Sequence, residues 1–124
     1  MPRFVVLEHD HPTMHWDFML EFGDVLKTWK LIELPVYFSV MKVDLQADHR
    51  KHYLDYQGPV SGNRGSVCQW DSGIFELLSN DEDDIRFRLL GTKLEGFRFV
   101  AQKKRARQVR RARPYLQHRL FLLV

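Results

Sequence analysis

An antiparallel β-barrel with little helix is the fold class this sequence predicts, and three observations predict it. Several short runs alternate apolar and polar residues. The clearest is His15–Phe22, where Trp16, Phe18, Leu20 and Phe22 fall on one face and His15, Asp17, Met19 and Glu21 on the other. Glycine-containing turn signals separate these runs at short intervals. No stretch before residue 102 keeps a helical period over a useful length. The chain has 124 residues, of which 44% are hydrophobic and 13% aromatic. That is enough to bury one core, so a single domain over residues 1–124 is expected.

The elements follow in order. Phe4–Leu7 is a short β-rich run, and His15–Phe22 is the amphipathic strand. Gly23 and Asp24 form a turn pair, which makes Val25–Leu31 the returning strand of a hairpin. Pro35–Val43 is aromatic and β-branched, hence strand or extended. Asp44–Tyr56 is polar and fits a short helix or a loop, and Gly58–Gly65 is a loop by composition. Val67–Asp71 reads as a strand, Ser72-Gly73 as a tight turn and Ile74–Leu78 as the next strand. Asn80–Asp84 is an acidic turn before the alternating run Ile85–Leu90. Gly91 and Gly96 bracket a further turn before Phe97–Ala101, and Leu120–Val124 is a final apolar strand.

Residues 102–113 differ from the rest: seven of the twelve are Lys or Arg. The composition permits a helix or a loop, solvent-exposed in either case. A solvated basic face and a phosphate-backbone contact are equally good readings of it. The net charge is only +3, although the sequence pI is about 9.2. Acids and bases are therefore segregated, and a basic surface suits an anionic partner such as nucleic acid. The one cysteine, Cys68, excludes an intrachain disulfide and fits a reducing, cytoplasmic setting. It reads as a half-buried small residue in a strand. The apolar run near the start is too short for a signal peptide, and no segment reaches the ~18 apolar residues of a membrane span.

Two clusters carry candidate chemistry. His15 and Asp17 share a strand face, close enough for both side chains to reach one divalent ion. His9 or His11, upstream across a proline-containing loop, offers a third ligand. The opposite face needs a core, so this face is expected to look into a polar cleft or onto water. The second cluster, Asp48–Tyr56, holds His49, Arg50, Lys51, His52 and Tyr53. A histidine there can protonate a leaving oxygen or stabilise phosphoryl charge. A plain polar loop is the competing reading.

Taken together, these blocks resemble the 3′-phosphoesterase domain of bacterial and archaeal DNA ligase D. The family pattern R-F-V-V-x-E-H appears as Arg3-Phe4-Val5-Val6-Leu7-Glu8-His9. Its L-H-Y-D-x-R-L-E appears as Met14-His15-Trp16-Asp17-Phe18-Met19-Leu20-Glu21, and its G-V-L-K-S-W as Asp24-Val25-Leu26-Lys27-Thr28-Trp29. D-H-P-L-D-Y becomes Asp48-His49-Arg50-Lys51-His52-Tyr53, and W-D-x-G is Trp70-Asp71-Ser72-Gly73. The late L-x-G-x-x-L-x-G of the family runs from Leu89 to Gly96, with a phenylalanine, Phe97, directly after it.

The resemblance implies a compact β-barrel that uses Mn²⁺, or a similar divalent metal, to trim DNA or RNA 3′ ends. Terminal ribonucleosides and 3′-phosphates would be removed during DNA repair. It places the metal on His9, His15 and Asp17, the scissile phosphate against His49, and Tyr53 in support. Glu21 is expected to orient a ligand. Met19 stands where the family has a phosphate-contacting arginine, and the family's later lysine block reads here as leucine-rich sequence around Glu33. Arg50, Lys51 and Arg64 are the candidates to replace the lost cations, with Lys103, Lys104 and Arg105 on the strand backbone. The resemblance also implies a monomer working beside a separate ligase, polymerase or Ku-type end-binding protein. The alternative is a non-catalytic binder of nucleic-acid ends.

Overall fold

The computed structural model describes residues 1–35, 40–105 and 116–123, with side chains as far as Lys103. Ten strands occupy them: β1 (Arg3–His9), β2 (His15–Phe22), β3 (Val25–Leu31), β4 (Val40–Leu45), β5 (His49–Arg50), β6 (Gly58–Pro59), β7 (Ser66–Asn80), β8 (Asp84–Gly91), β9 (Glu95–Arg105) and β10 (Leu116–Leu123). A 3-10 turn, Lys51–Leu54, lies between β5 and β6. The strands pair in the order β1-β2-β3-β4-β10-β9-β8-β7-β6. A further antiparallel pairing of β1 with β7 brings the sheet back on itself as a curled barrel. No helix among the described residues is long and apolar enough to cross a membrane.

β1 explains its own unbroken apolar run. Phe4 and Val6 face the main core, with Phe18, Leu20, Trp29, Phe75, Phe87 and Phe99. Val5 and Leu7 face a second, smaller cluster with Met19, Leu26, Leu54, Val60 and Val67. All four β1 residues are fully buried, as a strand covered on both faces must be. β2 splits as its alternation predicts: Phe18 and Leu20 enter the main core, while Met19 enters the second cluster. The face carrying His15 and Asp17 is therefore not simply polar. It lies over a small apolar floor.

Gly23-Asp24 closes the β2–β3 hairpin, with Phe22 opposite Val25 and Gly23 at φ +59°. The acidic turn is also present, and the Asp81 side chain accepts the backbone N–H groups of Asp83 and Asp84.

Ser72-Gly73 is not a turn. It lies inside β7, which runs unbroken from Ser66 to Asn80. Gly73 faces Gly91 across the β7–β8 ladder, and a Cβ on Gly73 would sit 2.2 Å from the Leu90 carbonyl oxygen. The glycine permits close backbone approach rather than reversal. β7 instead bends at a bulge opposite Val6 and Leu7, where Trp70 is left without a register partner.

The start of the basic segment is likewise strand, neither helix nor loop. Residues 102–105 continue β9, pairing with β10 and, at Gln102, with β8. Residues 106–113 lie outside the described residues, as do 36–39 of the expected 35–43 strand and the side chains of Lys104 and Arg105.

Candidate metal and phosphate site

His9 ends β1, His15 begins β2, and the two are register partners across the hairpin. Asp17 sits opposite Leu7, two residues into β2 on the same face as His15. The pleat thus aims three side chains at one point. Their candidate ligand atoms all lie within 4.8 Å of one another. Asp17 places one carboxylate oxygen 3.5 Å from His9 Nδ1 and the other 3.4 Å from His15 Nε2. Two ligands bound to one ion at ~2.0–2.2 Å stand roughly 3–3.5 Å apart, so the spacing suits a shared coordination sphere.

The far side of each imidazole fixes its role. His9 Nε2 lies 2.8 Å from the Arg64 carbonyl oxygen, and His15 Nδ1 lies 2.9 Å from that of Thr13. A carbonyl only accepts, so each of those nitrogens donates. In neutral rings His9 Nδ1 and His15 Nε2 then carry lone pairs that face the Asp17 oxygens, which are also acceptors. Among the described residues no N–H or O–H donor to Asp17 lies between them. Acceptors gathered in this way, with His15 and Asp17 6% and 7% exposed, call for a cation. Two imidazoles and one carboxylate suit a first-row divalent ion and leave further positions open to an exogenous oxygen. His11 is exposed and is not part of the group.

His9 and Asp17 open onto a cleft that is also lined by Leu7, Met19, His49, Tyr53, Val60, Arg64 and Val67. His49 is carried on β5, paired with Leu26 of β3, and its Nδ1 lies 2.8 Å from the Ala47 carbonyl oxygen. That contact leaves Nε2 as the nitrogen available to a ligand. Tyr53 stands on the 3-10 turn with its ring 5.8 Å from the His49 ring. The expected pair is therefore brought to the same cleft as the ligands.

Other expected residues have different places. Glu21 does not orient a ligand. Its carboxylate accepts the Arg3 backbone N–H at 2.9 Å and pairs with Lys51 Nζ at 2.7 Å, roughly 13 Å along β2 from Asp17 at the strand rise. The Lys51 contact first, and then the Arg3 N–H, hold the Glu21 carboxyl below its ordinary range. Lys51 is thus engaged away from the cleft, and Arg50 is exposed and does not line it. A second bracket joins Arg3 to Asp55 through bonds of 2.6 and 3.1 Å. The two brackets fasten the 3-10 turn to β1 and β2 and so position His49 and Tyr53. Glu33 is exposed and does not line the cleft. Lys103 donates to Asn80 and to the Asp81 carbonyl, at the β7–β8 turn.

Cys68 is exposed rather than half-buried. Its thiol points at Glu8, and desolvation followed by that carboxylate pushes its pKa up, which lowers its thiolate fraction. Sequence reasoning missed the carbonyls of Thr13, Ala47 and Arg64, since a backbone oxygen has no residue signature. It also missed Asp10, whose side chain accepts the Ser66 N–H at 2.8 Å and docks the 60–65 loop beside His9.

Comparison with known proteins gives the family. Residues 7–102 match the family described as the DNA Ligase D 3′-phosphoesterase domain. The chain is 31% identical over 104 residues to the multifunctional non-homologous end joining protein LigD of Pseudomonas aeruginosa, covering 76% of this chain and 12% of that protein. It is 29% identical over 102 residues to the multifunctional non-homologous end joining DNA repair protein LigD of Mycobacterium tuberculosis, covering 75% and 13% respectively. The chain therefore spans about an eighth of the length of these relatives.

Proposed function

Because the chain belongs to the DNA ligase D 3′-phosphoesterase domain family, we propose that it is a metal-dependent phosphoesterase that heals nucleic-acid 3′ ends in DNA repair. It would remove a terminal ribonucleoside or a 3′-phosphate. The observation that carries this reading is the convergence of His9 Nδ1 and His15 Nε2, the ring nitrogens turned away from the carbonyl contacts, with both Asp17 oxygens beside a cleft.

His9, His15 and Asp17 would hold Mn²⁺ or a similar ion. When bound, that ion supplies Lewis-acid charge to the phosphate oxygens and acidifies water. The chain's own groups do the rest. The Arg64 and Thr13 carbonyls keep the two imidazoles in the ligating tautomer. His49 would act as an imidazolium, donating from Nδ1 to the Ala47 carbonyl and from Nε2 to the phosphate, to stabilise its developing charge or protonate the leaving oxygen. Tyr53 holds His49 against the cleft wall. The apolar floor of Leu7, Met19 and Val67 excludes water and strengthens every charge above it. Both relatives carry names that describe non-homologous end joining. A separate ligase, polymerase or Ku-type end-binding protein is therefore the proposed working partner, and DNA or RNA-terminated DNA 3′ ends are the substrate.

Met19 favours a second reading, a non-catalytic end binder. It is 1% exposed on the cleft floor and donates nothing to a phosphate oxygen. One assay separates the two. A primer ending in a ribonucleotide or a 3′-phosphate is incubated with the protein or with His15→Ala, with and without Mn²⁺. Metal-dependent trimming that the variant lacks supports the enzyme. Binding of the end without trimming at high protein concentration supports the binder.

A further inference from the structure

We infer that Arg64 is the residue that sets the preference of this site for a terminal phosphomonoester over a phosphodiester. The inference rests on the phosphoesterase reading above. Among the described residues lining the cleft, Arg64 is the one with a permanent positive charge. Arg50 and Lys51, the other candidates to replace the cation lost at Met19, are placed elsewhere. The replacement therefore comes from the opposite wall, on the loop between β6 and β7, rather than from the floor.

That loop presents Arg64 in a fixed way. Gly62, Asn63 and Gly65 all have positive φ, at +75°, +55° and +72°. The Val60 N–H donates to the Gly65 carbonyl at 2.8 Å and closes the loop. A Cβ at Gly65 would lie 2.2 Å from Asp10 Oδ1, so the loop is seated tightly on the β1–β2 connection. The Arg64 carbonyl meets His9 Nε2 while its guanidinium rests on Ser61, with Nε 2.6 Å from the carbonyl oxygen and Nη2 3.2 Å from Oγ. The remaining guanidinium donors have no further hydrogen-bond partner among the described residues. Since Arg64 lines the cleft, the proposal gives these free donors to a phosphate oxygen bound there. One residue thus holds a metal ligand by its backbone and offers a phosphate donor by its side chain.

Charge decides which phosphate gains most. A dication with Asp17 and two neutral imidazoles carries one net positive charge, and the imidazolium form of His49 that the mechanism uses adds a second. Arg64 adds a third. At a given distance a guanidinium gains about twice as much from a dianion as from a monoanion. A terminal monoester approaches a dianion at neutral pH, whereas a phosphodiester is a monoanion. Over a floor of low polarity that difference is large.

The test uses Arg64→Ala and Arg64→Lys with three readouts. Mn²⁺ affinity, followed by electron paramagnetic resonance, should be unchanged, because the His9 contact is to the backbone. Calorimetric binding of inorganic phosphate to the Mn²⁺-loaded protein should weaken at least ~10-fold in Arg64→Ala, with a clearly smaller loss for dimethyl phosphate. The value of kcat/KM on a 3′-phosphate primer should fall ~10²–10³-fold, with a far smaller loss on a 3′-ribonucleoside diester and partial recovery in Arg64→Lys. Equal losses on both substrates, or weakened Mn²⁺ binding in Arg64→Ala, would overturn the assignment in favour of a loop-positioning role. So would a variant with wild-type monoester activity. A wild-type protein that hydrolyses neither primer defeats the phosphoesterase reading itself, a different and separately visible result.

Discussion

Asp17 and Asp71 are both buried acids on β-strands, 7% and 5% exposed, yet their surroundings are opposite. Asp71 accepts three backbone N–H groups, from Thr92, Lys93 and Leu94, at 2.9–3.2 Å. It ties the β8–β9 turn to β7, and Gly91 packs so closely that a Cβ there would lie 2.5 Å from its Oδ2. Asp17 has no such donors among the described residues and faces two imidazoles instead. A satisfied carboxylate supports the fold. One that faces two ring nitrogens and no hydrogen-bond donor among the described residues is the better candidate for holding a ligand. Burial alone does not tell a site from a strut; the inventory of donors does.

The comparison can be broken at either end. The largest effect belongs to Asp17→Asn, which should lower end-trimming by about 10³ or more. The metal-free melting temperature should hold or rise, because an unbalanced buried charge is gone. A large loss of metal-free stability would show that Asp17 is a strut after all. Asp71→Ala should do the reverse. With three charge-assisted bonds lost and their donors orphaned, urea unfolding should show a cost of about 3–5 kcal/mol, and the folded protein should bind Mn²⁺ normally.

Gly65→Ala lies between these extremes. The positive φ and the contact with Asp10 predict a cost of ~1–3 kcal/mol. Displacing the Arg64 carbonyl from His9 should also weaken Mn²⁺ binding by ~10-fold or more. A variant that loses stability but keeps full affinity would sever the proposed link between that loop and the ligand.

The smallest effect is expected for Glu21→Gln, about 0.5–1 kcal/mol for a half-exposed bracket to Lys51. Its folded carboxyl titrates below the ordinary range. The contribution is therefore complete above the usual glutamate pKa of ~4.3 and disappears as pH falls through the lowered folded value. Stability curves of wild type and variant should run parallel near neutrality and converge below about pH 4. A constant gap down to pH 3 would contradict the ion pair.

Much of the fold was readable in residue order because a period of two survives wherever one face is apolar, as in His15–Phe22 and Ile85–Leu90. The placement of the candidate ligands was readable for the same reason: strand spacing alone puts His15 beside Asp17. Choosing His9 over His11 required the family pattern, since the path of the 10–14 loop has no local signal. Gly73 misled because glycine marks both turns and close approaches, and only the Leu90 carbonyl opposite it distinguishes them. The basic run 102–105 hid a strand because uniform charge erases alternation, while pairing to β10 and β8 overrides helix propensity. Glu21 and Lys51 looked like site residues because sequence shows charges without their partners. They turn out to hold the site's frame.

The central claim is that His9, His15 and Asp17 share one cation. A crystal soaked with Mn²⁺ and measured for anomalous scattering tests it directly. A shared cation would give a single strong peak about 2.0–2.2 Å from His9 Nδ1, His15 Nε2 and an Asp17 oxygen. No peak there, or a peak held by other side chains with Asp17 bonded to a protonated imidazole, would contradict it.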